Sequence, residues 1–356
     1  MTTISDIEIP RELEDVTPAW LSAALAGAHA GAEVTAARFE SLHQGTASTW
    51  RAHLTYAADK PAGPATVCIK SDFGLPHKEH LASSGLYRRE ASVYLEVLPT
   101  TSARVAACYA ADYDGAGRGF MLLQDIVAAG GRFCDPVSTL TVSQVATGVE
   151  QLAQLHAATW EAPMVREPRW MHHGKPLSEE DPFWNAIFAR YASLLTTPHA
   201  GAMARIFRDP DVVGRAFNRL RGLDDPVARS LIHGDAHVGN FFVDKNGDPG
   251  MADFQCVQRG HVTHDLAMFI GSALDVTDRR SHEQALLKHY LQRLADFGAV
   301  APDFDEIWLG YRRHYIYSLF VWLSTTDNFQ PTQHLVTNVF RYGVAALDLD
   351  TLAALQ

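Results

Sequence analysis

The stretch Leu231-Ile232-His233-Gly234-Asp235-Ala236-His237-Val238-Gly239-Asn240, followed by Met251-Ala252-Asp253-Phe254-Gln255, decides how the rest of this 356-residue chain is read. Apolar residues run up to His233, so Asp235 is expected at the end of a strand, Ser230–Asp235, where a loop can expose it. Asn240 is expected to open a second strand, Asn240–Asp244, and Lys245-Asn246-Gly247-Asp248 supplies the turn into a third, Gly250–Phe254. A hairpin of that kind brings two acids and an amide to one loop edge. Oxygen donors of this type suit Mg²⁺, and phosphoryl transfer also needs a separate carboxylate to orient the attacking hydroxyl and take its proton. Singly, Asp and Asn at strand ends are ordinary turn and cap residues. Their joint spacing carries the signal.

Upstream, Thr17-Pro18 reads as an N-cap followed by proline at the first helical position, starting a short helix to Ala26. Two strands, Val34–Leu42 and Trp50–Tyr56, flank the small-residue turn Gln44–Ser48. A third strand, Ala65–Ser71, contains Lys70. A helix from about Lys78 to Leu98, stopped by Pro99, carries Glu90. Strands Val105–Tyr113 and Gly119–Ile126 flank the Asp114-Gly115 turn. A lysine on a buried strand is costly unless paired, so Lys70 calls for a partner. Beyond Asp125 the pattern turns helical: Thr141 and Gln144 form a capping box ahead of Val142, Val145, Val149 and Leu152 at helical spacing. Residues 160–225 show little periodicity apart from a helix near Pro182–Leu195. Several helices fill the chain from His264 to Gln356.

The match at His233, Gly234, Asp235, His237 and Asn240, with Asp253-Phe254-Gln255 after it, resembles the aminoglycoside phosphotransferase-like and ecdysteroid kinase-like (CHK kinase-like) enzymes. Asp253-Phe254-Gln255 is closer to the ecdysteroid kinase-like branch. The resemblance implies an α+β, two-lobed protein-kinase-like fold, with a small β-rich N-lobe over residues 1–124 and a larger, mainly helical C-lobe over 125–356. It implies ATP and Mg²⁺ as cofactors, Asp235 as catalytic base, and Asn240 and Asp253 as metal ligands. Lys70 would hold ATP phosphates, with Glu90 as its paired acid. The turn Gln44–Ser48 falls at the phosphate-covering loop, with Ser48 near the phosphates, although it lacks a G-x-G-x-x-G pattern. Gln124-Asp125 falls at the lobe-connecting hinge beside the adenine, and Gln124 stands where an acid is usual. Leu152–Ala157 resembles the helix before the catalytic loop, and Asp265-Leu266-Ala267 the helix whose aspartate braces that loop.

Composition narrows the partners. A formal net charge of -11 argues against a nucleic-acid backbone as ligand and is compatible with a cationic substrate. The four cysteines show no C-x-x-C spacing, which speaks against a disulfide framework or structural zinc. The acidic N-terminus has no apolar signal region, and no apolar run is long enough to span a bilayer. A cytoplasmic setting is the expectation. Only eleven residues separate Asp253 from Asp265, too few for the activation segment of a protein kinase, so a small hydroxyl-bearing molecule is expected as acceptor rather than a protein. The helical remainder, with Trp308, Tyr311, Tyr315, Tyr317 and Trp322, is expected to enclose it. Antibiotic, steroid-like alcohol, amino alcohol and sugar all stay open. Two alternatives compete: a metal-dependent hydrolase built on His233, Asp235 and His237, and a non-catalytic nucleotide-binding protein on the same fold.

Overall fold

Lys70 lies on the middle strand of a five-stranded antiparallel sheet of order β1-β2-β3-β5-β4. The strands are β1 (Val34–Gln44), β2 (Ser48–Tyr56), β3 (Thr66–Ser71), β4 (Cys108–Tyr113) and β5 (Gly119–Gln124). This computed structural model describes residues 7–75, 84–167, 170, 188–189 and 191–356. The chain divides into two compact units: Met1–Arg132 with Asp244–Asn246 and Ala252–Cys256, and Phe133–Val243 with Gly247–Met251 and Val257–Gln356. The chain therefore returns to the first unit over the short segment that contains Asp253.

In the first unit, α1 (Pro18–Leu25) starts as expected, with Thr17 Oγ1 accepting the Trp20 N–H at 3.2 Å. Its Leu21 and Leu25 pack with Val34, Ala52, Val67, Ile69, Phe120 and Leu122 into one apolar cluster. Side chains alternate along a strand, so Val67 and Ile69 belong to that face and Cys68 and Lys70 to the other. Helix α2 (Leu86–Ser92) carries Glu90, then widens into a π turn (Val93–Val97) before Pro99 ends it. The predicted start of this helix, near Lys78, lies outside the described residues.

The second unit is mainly helical. Helix α3 (Val142–Thr159) opens on the expected capping box: Thr141 Oγ1 accepts from Gln144 N at 3.2 Å, and Gln144 Oε1 accepts from Thr141 N at 3.1 Å. Helix α4 (Pro210–Val227) lies mostly in the region whose sequence shows little periodicity. The signal was Asp209-Pro210: Asp209 Oδ1 accepts from Asp211 N at 2.9 Å, and Pro210 takes the first helical position. Of the helix predicted near Pro182–Leu195, only the turn Tyr191–Leu194 and scattered neighbours fall within the described residues. Short strands β6 (Ser230–Ile232) and β9 (Gln258–Gly260) pair antiparallel, and β7 (Phe241–Val243) pairs with β8 (Pro249–Met251). Helices α5 (Thr263–Ala273), α6 (Val276–Asp296), α7 (Phe304–Ser324) and α8 (Thr332–Asp348) complete the unit. Every residue of α5 is buried, so it is the unit's central helix. Among the described residues, no helix is long and apolar enough to cross a membrane.

Three strand expectations are corrected. The strand before Asp235 stops at Ile232, because the next two N–H groups go to the Asp265 carboxylate and Gly234 turns to φ +79°. Asn240 closes a 3₁₀ turn, Val238–Asn240, instead of opening β7. The strand into Asp253 stops at Met251, since Asp253 itself has φ +64°, a left-handed conformation uncommon outside glycine.

Candidate active site

Lys70 gathers the charged groups of the first unit. It is 8% exposed, and its Nζ lies 2.9 Å from Glu90 Oε1, 2.8 Å from Glu90 Oε2 and 2.8 Å from Asp253 Oδ1. Burial works against the ammonium, and the Asp253 and Glu90 carboxylates reverse the balance, so the Lys70 pKa rises. Burial pushes the Glu90 carboxyl above the usual carboxylate range; Lys70 pulls it back and Asp253 adds to the rise. The side chain of Asp253 is 32% exposed while Glu90 is 1% exposed. One acid of the pair thus faces inward, and the other keeps contact with solvent.

The turn after β1 is tied to the same segment. Thr46 Oγ1 donates to Gln255 Oε1 at 2.9 Å, Tyr87 Oη donates to Thr46 O at 2.8 Å, and Arg89 Nε donates to Gln255 O at 3.3 Å. Tyr94 sets its ring edge-on to Phe254, with centroids 5.6 Å apart. Ser48 is fully buried at the start of β2, where its hydroxyl donates to Ser71 O at 3.3 Å. Gln124 ends β5, and its Oε1 accepts from Ala107 N at 3.4 Å. Asp125 is engaged by Arg51, whose Nε and Nη2 reach its two oxygens at 2.5 and 3.2 Å. This Arg51–Asp125 bridge was not foreseen; the two residues stand 74 positions apart.

Asp235 and Asn240 belong to the second unit. Asn240 Nδ2 donates to Asp235 O at 2.8 Å and to Asp235 Oδ2 at 3.1 Å, fixing the carboxylate's rotamer from five residues away. With its NH₂ engaged by Asp235, the carbonyl oxygen is the Asn240 atom chemically able to ligate a cation. Asp235 is 28% exposed, and His237 Nε2 stands 3.8 Å from its Oδ2, beyond hydrogen-bond reach. His237 Nδ1 instead accepts from Gly239 N at 3.0 Å, and its ring meets Trp322 edge-on at 4.9 Å.

Beneath this loop lies a buried polar network. Asp265, fully buried, accepts from His233 N at 2.6 Å, Gly234 N at 2.9 Å and His156 Nε2 at 3.0 Å. With Nε2 facing Asp265, the Nδ1 of His156 lies 2.8 Å from the Tyr290 hydroxyl. Burial alone would raise the Asp265 pKa; the His156 hydrogen bond and nearby histidine rings outweigh it and hold the carboxyl below its ordinary 3.8. On the other side of the loop, Val238 N donates to Ser272 Oγ at 2.8 Å. Leu152–Ala157, read from the sequence as the helix before this loop, and Asp265, read as the aspartate that braces it, thus meet through His156. The role of His156 itself was not foreseen.

His233, Asp235 and His237 do not assemble a metal site of the hydrolase type. The His233 side chain is buried, His237 is turned to Gly239, and no group of three His, Cys, Asp or Glu among the described residues is placed to hold a metal ion. Asn240 and Asp253 offer oxygen donors, the type Mg²⁺ takes.

The structure resembles kinase-like proteins of known structure. A Ralstonia eutropha JMP134 protein provisionally described as an aminoglycoside phosphotransferase superposes with a TM-score of 0.55 at 14% identity, covering 94% of this chain and 97% of that one. A Plasmodium vivax ethanolamine kinase superposes with a TM-score of 0.51 at 11% identity, covering 89% of this chain and 83% of that one. These likenesses establish the two-lobed, α+β kinase-like fold. No curated protein matches the chain by sequence. The profile of the ecdysteroid kinase-like family matches residues 46–300, a span that contains Lys70, Glu90, Asp235, Asn240, Asp253 and Asp265. With the fold and the motif residues in agreement over most of its length, the chain belongs to the ecdysteroid kinase-like family.

Proposed function

We propose that the protein is an ATP- and Mg²⁺-dependent phosphotransferase that moves the γ-phosphate of ATP to a hydroxyl of a small molecule. The observation that carries this reading is Lys70, a buried ammonium bonded to both Glu90 and Asp253. An ammonium has three N–H donors. Here they meet three oxygens, two of Glu90 and one of Asp253, and in this reading an incoming phosphate oxygen takes the place of one of them. Glu90 is the inward anchor that sets the height of Lys70 above the sheet. Asp253, with its strained backbone and partly exposed carboxylate, supplies a metal ligand, and strain of this kind is often kept at functional sites. Asn240 supplies the second ligand through its carbonyl oxygen. Bound Mg²⁺ neutralises charge on the phosphate oxygens. Asp235 is the general base: Asn240 fixes one oxygen, and the carboxylate orients the acceptor hydroxyl and takes its proton. Ser48 and Gln124 play lesser parts, through the backbone of their turn and strand end, at the phosphates and the adenine. We place the division between nucleotide-binding and acceptor-binding lobes at residues 124 and 125, and the protein in the cytoplasm.

The acceptor class is a compact hydroxyl-bearing molecule, as the names of the family and of the ethanolamine kinase relative suggest. Calorimetric titration with ATP, with and without Mg²⁺, tests the reading. Binding that requires Mg²⁺, followed by ADP release stimulated by one member of a panel of alcohols, amino alcohols, sterols and aminoglycosides, is the expected result. Absence of nucleotide binding in both conditions overturns it.

A further inference from the structure

Three residues of α5 grip the Asp235 loop, and one of them acts on the peptide that carries Asp235. Asp265 takes the N–H groups of His233 and Gly234, and Ser272, about 10 Å further along the helix, takes that of Val238. Those contacts secure the flanks of the loop. His264 Nε2 donates to Gly234 O at 3.1 Å. The Gly234 carbonyl and the Asp235 N–H belong to one planar peptide unit, and Gly234, at φ +79°, has no Cβ to restrict how that plane turns. The imidazole of His264 therefore sets the rotation of the plane from which the Asp235 side chain departs.

The imidazole is itself held. His264 is 6% exposed; its ring packs on Tyr317 with centroids 4.3 Å apart and on His314 at 5.7 Å, both from α7. His314 Nδ1 lies 2.8 Å from Gly310 O, which only accepts, so this nitrogen carries the proton. The Thr263 hydroxyl, 2.9 Å from His314 Nδ1 and 2.6 Å from His261 Nδ1, then accepts from the first and donates to the second. A chain of buried hydrogen bonds thus locks α7 against the first turn of α5, where His264 sits.

We propose that His264 is a positioning residue for Asp235, acting through the Gly234 carbonyl, with Tyr317 and His314 fixing its ring. The catalytic part of this inference rests on Asp235 being the base; the structural part does not. Two variants separate hydrogen bond from bulk. His264→Gln keeps an N–H donor at similar reach, and His264→Leu keeps apolar volume without a donor. The full-length chain is examined by amide hydrogen exchange over residues 231–240 and by steady-state ADP release from Mg·ATP.

In His264→Leu, exchange in that segment accelerates several-fold, and the turnover number falls on the order of 10²-fold with the KM for ATP unchanged, the mark of a misplaced catalytic group. His264→Gln restores both toward the wild-type values. Unchanged exchange in His264→Leu overturns the proposal, and so does equal impairment of the two variants, which would assign the effect to the ring and not to its N–H. Absence of ATP turnover by the wild-type chain refutes the proposed function, and exchange alone then decides whether His264 holds the loop.

Discussion

The Lys70 cluster and the Asp235 loop bury polar groups in opposite ways. In the first unit, charge meets charge: one ammonium lies between two carboxylates, and each depends on the others to offset desolvation. In the second, the Asp235 loop is held almost entirely by hydrogen bonds from its own backbone to side chains of α5, with a single buried carboxylate accepting three donors. The ion cluster is held by charge attraction around one ammonium, an arrangement suited to exchanging one carboxylate oxygen for another anionic group. The loop network is saturated and suited to holding a geometry fixed. Disturbing the first is expected to change what binds, and disturbing the second how fast the reaction proceeds.

Asp235→Asn is the largest break in this contrast. Turnover falls by about 10²–10⁴-fold, the usual contribution of a general base, while calorimetry shows Mg·ATP affinity unaltered. A parallel loss of nucleotide affinity would remove Asp235 from that role. Lys70→Met comes next. It leaves Glu90 buried without its counter-ion, and the denaturant midpoint should report a loss of about 3–5 kcal/mol along with weakened ATP binding. Adding Glu90→Leu should recover much of that stability but none of the binding. Failure of the double variant to recover would mean the cluster contributes more than charge neutralisation.

Asp265→Asn tests the saturated side. An amide has one acceptor oxygen where the carboxylate uses two, so a buried donor loses its partner at a cost of about 1–3 kcal/mol. The pH dependence has a definite sign. The Asp265 pKa is lower in the folded chain than its ordinary 3.8, so its contribution is fully present above that value and is lost as pH falls through the folded-state pKa. Acid titrations of stability should therefore be shallower below pH 3.8 in the variant than in the wild type. Smallest is Asp209→Ala, which removes the cap of α4. It should cost about 1 kcal/mol in thermal or denaturant melts and leave ATP binding and turnover unchanged.

Much of the fold was legible because strands and helices announce themselves locally. Thr17-Pro18 and the Thr141–Gln144 capping box behave as written, since caps depend on residues three or four apart. The five N-terminal strands were legible from β-forming runs and turn residues, with ends shifted by a few positions. The edges of the Asp235 loop were misread for a different reason. Local pattern favours a strand through Asp235, but Asp265, thirty residues onward, captures the N–H groups that a ladder needs. Helix α4 was overlooked although Asp209-Pro210 was in view, because the pattern of residues 160–225 is broken by Gly214 and Gly222.

By itself the sequence determined which chemical groups the protein possesses and the spacing that groups them: a strand lysine, a helix glutamate, and an Asp, Asn and Asp at the offsets of the kinase-like motif. Those choices follow from chemistry that particular side chains alone can perform, so they survive as a pattern along the chain. The tertiary structure alone decided which groups support them. His156, His264, Ser272 and Arg51 sit in ordinary local sequence and acquire meaning through partners 30 to 109 residues away. Buried polar groups must find partners wherever the packed chain brings them, and no local pattern records that pairing.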